Sequence, residues 1–190
     1  MQTLKSFIKR VLEKGVPDGD GVYVDVGAHQ GGVAQVIRKY KPDIQMHLIE
    51  PYSENCAVLA RLGFLADRYA ISNCDGTKAL YFRSDGKGTK SCSLYKDHLG
   101  RHRVRQEVVP CISLDEYCKH IPHVYIMKIN AEGAEYEIFD MPCEWLSRTD
   151  MVFLQLHEGD HERIGAKLLK SGFVLRKETR GKRRNQWWCK

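Results

Sequence analysis

The chain has 190 residues, a length that fits one domain with a full hydrophobic core and leaves little room for a second. Its 43% hydrophobic and 28% charged fractions are those of a globular protein, no apolar run approaches the roughly 18 residues of a membrane span, and charges break every apolar run at the N-terminus, which does not read as a signal peptide. The net charge of +6 is matched by residues 176–190, which hold seven basic and one acidic residue, so a uniformly basic nucleic-acid-binding surface is excluded.

Leu4, Phe7, Ile8, Val11 and Leu12 recur at helical spacing and predict an N-terminal helix within 1–15. Apolar runs then alternate with helical patterns, which predicts a parallel sheet with crossover helices. Residues 21–26 read as a buried strand. Residues 32–40 read as a helix with Val33, Val36, Ile37 and Tyr40 inward, ended by Lys41-Pro42. A strand over 44–49, a helix over 53–62 closed by Gly63, and a strand over 64–70 follow. After an interruption come a strand over 124–129, a short helix over 134–139 stopped by Pro142, and a strand over 151–156. Asp160 can cap a helix running to 171, with Gly172 as its stop. Residues 173–179 and 185–190 flank a polar turn at Gly181 and read as a closing hairpin. The expected architecture is one Rossmann-like α/β domain over 1–190.

The interruption, residues 75–115, breaks this rhythm. It holds the turn-rich Asp85-Gly86-Lys87-Gly88 and the basic run Arg101-His102-Arg103-Val104-Arg105. Ligands of open α/β sheets bind beyond the carboxyl ends of the strands, so an irregular insert here is expected to be a lid or substrate-recognition element. Its cations, Lys87, Lys90, Lys96, Arg101, Arg103 and Arg105, point to an anionic acceptor, with a solvated charged loop as the alternative.

The seven cysteines are odd in number and contain no C-x-x-C pair, which fits free thiols in a reducing, cytoplasmic setting. Cys111, Cys118, His120 and His123 follow no zinc spacing, and no metal site is expected.

The sharpest signal is Val22-Tyr-Val-Asp-Val-Gly-Ala-His-Gln-Gly-Gly32, a strand ending near Asp25 followed by a glycine turn that opens a helix. Gly27 permits a tight turn and a close approach by a ligand. The second strand ends at Glu50-Pro51, where an acid can accept hydrogen bonds from both hydroxyls of a ribose. A dinucleotide site wants G-x-G-x-x-G, and His29 replaces the middle glycine. Asp25 suits a cofactor with an ammonium group. S-adenosylmethionine (SAM) has that ammonium, a ribose and no phosphate, and is the expected cofactor. A nicotinamide or flavin cofactor and a purely structural turn are the alternatives.

The same residues resemble the first motif of class I methyltransferases. Further on, Ser113-Leu-Asp-Glu-Tyr117 and Ile126-Met-Lys-Ile-Asn-Ala-Glu-Gly-Ala-Glu-Tyr-Glu-Ile138 resemble the FkbM family of SAM-dependent methyltransferases, as does Ala70-Ile-Ser followed by Asp75-Gly76. The resemblance covers residues 21–158. It implies a seven-stranded sheet whose last strand is antiparallel, and methyl transfer, usually to a hydroxyl of a sugar or natural product. Carried over by position, Asp25, Gly27, Ala28, His29 and Gly31 would line the methionine part of SAM. Glu50 and Pro51 would hold the ribose, and Ala70 to Ser72 would border the adenine, with Asp67 a further candidate for its amino group. The family usually has Asp where this chain has Asn130, and often an acid near Gln155. Asn130 cannot act as a base and is a poor ligand for a hard cation, so methyl transfer is expected to be independent of metal.

Glu132 and His157 are the candidate bases, with Asn130 beside them to bind a hydroxyl or the ammonium. Lys128 reads as structural or cofactor-adjacent rather than catalytic, because a cation does not help a positively charged sulfonium. Ser91 and Ser93 are candidates for shaping the acceptor site. His157-Glu-Gly-Asp-His161 matches H-E-x-x-H, but it straddles a strand end and a helix start, which cannot put both histidines on one helical face. Trp187 and Trp188 in the basic C-terminal end could stack bases, whereas on a closing strand one would face the core and the other solvent. The acceptor that the resemblance implies is a sugar, glycan or other small hydroxyl compound. RNA methylation is the runner-up, and SAM binding without turnover is a further reading raised by Asn130.

Overall fold

The computed structural model describes residues 3–83, 92–100, 102–157, 159, 161–179 and 183–190. Ser91, Glu158, Asp160, Gly181, the 85–88 turn, Lys90 and Arg101, all singled out above, lie outside these residues.

The chain opens with α1 (Leu4–Glu13), whose first turn is capped by the Thr3 side chain accepting from Ser6 N at 3.2 Å. The elements that follow are β1 (Val22–Val26), α2 (Gly32–Tyr40), β2 (Gln45–Ile49), α3 (Ser53–Arg61) and β3 (Ala66–Asp67). Next come β4 (Ala70–Ile71), β5 (Gly76–Arg83), β6 (Cys92–Ser93), a 3-10 turn (Lys96–Leu99) and β7 (Val104–Ile112). The chain ends with α4 (Leu114–Tyr117), β8 (Val124–Ile129), α5 (Glu135–Asp140), a 3-10 turn (Glu144–Arg148), β9 (Thr149–Leu156), α6 (His161–Lys170), β10 (Val174–Thr179) and β11 (Arg184–Cys189).

The main sheet has seven strands in the order β10-β11-β9-β8-β1-β2-β3. β11 runs antiparallel to both neighbours, and the other pairings are parallel. The sheet order steps outward from β1 in both directions, so β1 and β8 frame the topological switch point where such sheets bind ligands. Alternate strand residues feed two cores. Tyr23, Ile126, Met151 and Phe153 pack against α1, α2 and α3, while Val24, Val26, Met127, Val152 and Leu154 pack against α4, α5 and α6.

Two expectations change. The single strand expected over 64–70 is divided: β3 pairs with β2, and after a turn closed by Tyr69 N to Asp67 O at 3.0 Å, β4 joins a second sheet. The segment 75–115, expected to be irregular, supplies most of that second sheet, which has the order β4-β7-β5-β6. Its small core comprises Tyr52, Ala70, Leu80, Val109 and Cys111, while Val108 on β7 stays 68% exposed. The closing hairpin forms as expected. Both of its tryptophans pack, however: Trp188 enters one core, and Trp187 stacks on Phe153 in the other at a ring distance of 6.2 Å. Neither indole is left as a platform for bases.

Candidate active site

A cavity of about 430 Å³ lies at the carboxyl ends of β1, β2 and β8. Its floor is the glycine turn. Gly27 N and Ala28 N both donate to Ile49 O, at 2.9 and 3.0 Å, which binds the turn to β2. Gly27 has φ +75°, and a Cβ there would stand 2.1 Å from Asn130 O. Only glycine lets the two loops approach so closely. Gly27, Ala28, His29, Glu50, Pro51, Ala70, Asn130 and Glu132 all line the cavity.

Glu50 is 4% exposed, and burial raises its pKa despite its hydrogen bonds. Its Oε2 accepts from His29 N at 2.7 Å, and its Oε1 from Tyr52 N at 3.0 Å and Asn55 Nδ2 at 3.2 Å. A carboxylate offers about four acceptor positions, so one remains for a ligand hydroxyl rather than the two expected for a ribose. Asn130 Oδ1 is buried without a hydrogen-bond partner. An ammonium donor in the cavity would satisfy it. These two acceptors and the glycine turn fit SAM.

Three expected cofactor residues do not line the cavity. Asp25 is fully buried beneath it, where it accepts from Tyr23 OH at 2.7 Å and meets Lys128 Nζ at 2.7 Å. Lys128 also donates to the carbonyls of Val26, at 3.0 Å, and Gly27, at 2.6 Å. Asp25 thus fixes the turn through Lys128 instead of facing the cavity. Gly31 sits behind the turn, where a Cβ would meet Leu59 at 2.9 Å. Ser72 donates to Glu137 at 2.7 Å and accepts from Lys78. Asp67 accepts from Tyr117 OH and likewise stays outside.

The candidate bases form a cluster. His157 Nδ1 lies 3.1 Å from Glu135 Oε1, and its Nε2 lies 3.3 Å from Glu132 Oε2. The second contact is an ion-pair distance without good hydrogen-bond alignment. Burial alone would lower the His157 pKa, but the two carboxylates outweigh it and hold it at about 9. With both ring nitrogens facing acids, His157 is poised to hold a proton rather than to accept one. Glu132, whose burial would raise its pKa, is instead held well below the usual carboxylate range by His157, His98 and Arg183. It is a hydrogen-bond acceptor and a weak base. Its φ of +47° is unusual outside glycine, and Ser93 donates to its carbonyl at 2.8 Å.

Sequence reasoning missed several lining residues. Thr3, Leu4 and Lys5 bring the start of α1 to the rim, and Leu80, Cys92 and Leu94 bring the second sheet over the opening. A smaller cavity of about 250 Å³ shares Glu132 and Arg183 with the first and is lined by Arg83, His98 and His102. Of the insert cations expected to meet an anionic acceptor, Lys96, Arg103 and Arg105 fall within the described residues and line neither. Glu135 was also missed as an organiser: it accepts from Ala131 N and Gly133 N and so fixes the loop carrying Glu132.

The profile of the Methyltransferase FkbM domain matches residues 25–175. Among solved structures, methyltransferase FkbM from Methylobacillus flagellatus KT superposes with a TM-score of 0.59 at 12% identity, covering 93% of this chain and 45% of that one. The chain therefore spans less than half of that protein. Precorrin-6y C5,15-methyltransferase from Geobacter metallireducens GS-15 gives 0.54 at 13% identity, covering 97% of this chain and 88% of that one. TrmK of M. capricolum, solved with S-adenosyl-homocysteine, gives 0.54 at 7% identity, covering 97% and 68%. No curated protein matches. Among the described residues no helix is long and apolar enough to cross a membrane. With the family profile spanning most of the sequence, and the sheet order and glycine turn in place, the chain belongs to the FkbM family of SAM-dependent methyltransferases.

Proposed function

We propose that this methyltransferase transfers the methyl group to a hydroxyl of a small acceptor, a sugar or glycan, entering beneath the second sheet. The observation that carries the reading is the single cavity shared by the glycine turn, Glu50 and Asn130 at one end and Glu132 at the other. Bound there, SAM supplies an activated sulfonium methyl for in-line displacement. The chain's own part is alignment, in which Glu50 accepts from a ribose hydroxyl, Asn130 from the ammonium, and Glu132 from the acceptor hydroxyl. Packing of Trp187 and Trp188 into the cores weighs against RNA as acceptor.

Glu50→Gln removes a charged acceptor while keeping its shape. Hydrogen bonds to charged groups are worth about 1.5–3 kcal/mol, so SAM affinity measured by calorimetry should fall roughly tenfold or more. An unchanged affinity in a folded variant would take Glu50 out of the site.

The acceptor reading has its own test. Arg83, His102 and Arg183 line the smaller cavity, which favours an acceptor carrying phosphate or carboxylate, such as a nucleotide-linked sugar. Arg83→Ala should leave SAM affinity intact and lower acceptor kcat/KM roughly tenfold, by loss of one charge-assisted contact. Labelled SAM screened against glycans, nucleotides and RNAs identifies the acceptor. Salt-sensitive methylation of RNA would overturn the small-acceptor reading, and SAM binding without turnover on any acceptor would leave a binding protein.

A further inference from the structure

We infer that His98, Glu132 and His157 form a binding site for one divalent transition-metal ion of the zinc type. The inference goes beyond the methyl-transfer reading and stands independently of it. Three segments distant in sequence converge here: the 3-10 turn of the second sheet, the loop after β8 and the carboxyl end of β9. One ligand atom from each lies within 4.8 Å of the other two. Glu132 Oε2 is 3.3 Å from Nε2 of both histidines. Tetrahedral zinc with bonds of about 2.0–2.1 Å sets its ligand atoms about 3.3 Å apart.

A second observation is independent of that spacing. His157 has a side chain only 5% exposed, yet its Nε2, aimed at the cluster centre, has no aligned hydrogen-bond partner. Its other nitrogen meets Glu135 Oε1 at 3.1 Å, the carboxylate–histidine arrangement that fixes the ring of a metal ligand. Two imidazoles and one carboxylate suit zinc or cobalt better than magnesium or calcium. Arg183 Nη2 competes for Glu132 Oε2 at 3.2 Å, while its Nη1 lies 3.4 Å from Oε1, which remains available when Oε2 takes the ion. Three protein ligands leave a fourth position open. His98 and Glu132 line the smaller cavity, so an oxygen ligand reaches that position from the acceptor side. Asn130, whose replacement of an acid pointed to metal independence, is outside this cluster and does not decide the matter.

The rival occupant is a proton, with His157 as an imidazolium between Glu132 and Glu135. Cobalt(II) titration of the full chain after EDTA stripping and dialysis separates the two. The expected result is one equivalent of cobalt with the strong visible absorption of a four-coordinate ion, displaced by zinc. His98→Ala should abolish that band, and Glu135→Gln should weaken cobalt affinity roughly 10–100-fold. His98 is partly exposed, and a thermal melt by circular dichroism verifies that its variant is folded. Absence of the band overturns the inference. So does a band that persists in His98→Ala, because that variant keeps all seven cysteines and the ion would then sit on thiols. Calorimetry with SAM on the same stripped protein is read separately. Failure of SAM binding would end the methyl-transfer reading and leave the metal site standing, and failure of cobalt binding would do the reverse.

Discussion

Lys128→Met should destabilise the protein by about 3–5 kcal/mol, measured by urea unfolding, the largest loss expected from any single change near the site. Asp25 is fully buried and Lys128 is 2% exposed, so water cannot screen or replace their contact. Methionine preserves most of the apolar stem but leaves Asp25 as an uncompensated buried charge, and Tyr23 OH supplies only a neutral hydrogen bond. Two carbonyls of the glycine turn, Val26 O and Gly27 O, also lose their donor. The pair itself need not be net stabilising, because burying two ions costs much of what their attraction returns. The double variant Asp25→Leu/Lys128→Met should therefore be more stable than Lys128→Met alone. A loss below about 1 kcal/mol for the single variant would mean that Asp25 is solvated or protonated in the native state.

The same pair shows how far the sequence could be read. The strand, the glycine turn and the acid were all legible because they are local: an apolar run, a φ-permissive residue and a charge at fixed offsets. The direction of Asp25 was not legible, since it depends on Lys128, more than a hundred residues away, reaching beneath the turn. The main sheet was legible from alternating periodicity, and Glu50 from its place at the end of β2. The second sheet was hidden because its strands present one wet face, so charges interrupt the apolar pattern in 76–83 and 104–112. His157 was legible as the polar end of a strand, but its partners were not. Its neighbours Glu132 and Glu135 come from the loop and helix that follow β8, more than twenty residues earlier in the chain, and only their joint approach fixes its charge.

Gly27→Ala should show that the turn is set by a long-range contact as well as by local conformation, and Gly63→Ala provides the control. Both glycines lie in the left-handed region, at φ +75° and +73°. That conformation costs an alanine roughly 1 kcal/mol or somewhat more at either position. At Gly63 nothing lies within 4 Å of the added Cβ, so the conformational cost is the whole effect. At Gly27 the added Cβ meets Asn130 O at 2.1 Å. A backbone oxygen between hydrogen-bonded strands has no rotamer through which to yield, so the loops after β1 and β8 must separate by about 1 Å. Overpacking of this kind costs about 1–3 kcal/mol. Gly27→Ala should therefore be less stable than Gly63→Ala by that margin. It should also weaken SAM binding by more than tenfold, because the displaced loops carry His29 and Asn130, whereas Gly63→Ala leaves affinity unchanged. Equal stability losses in the two variants, with SAM affinity preserved in both, would show that the contact with Asn130 is soft and that the glycine serves only its own φ.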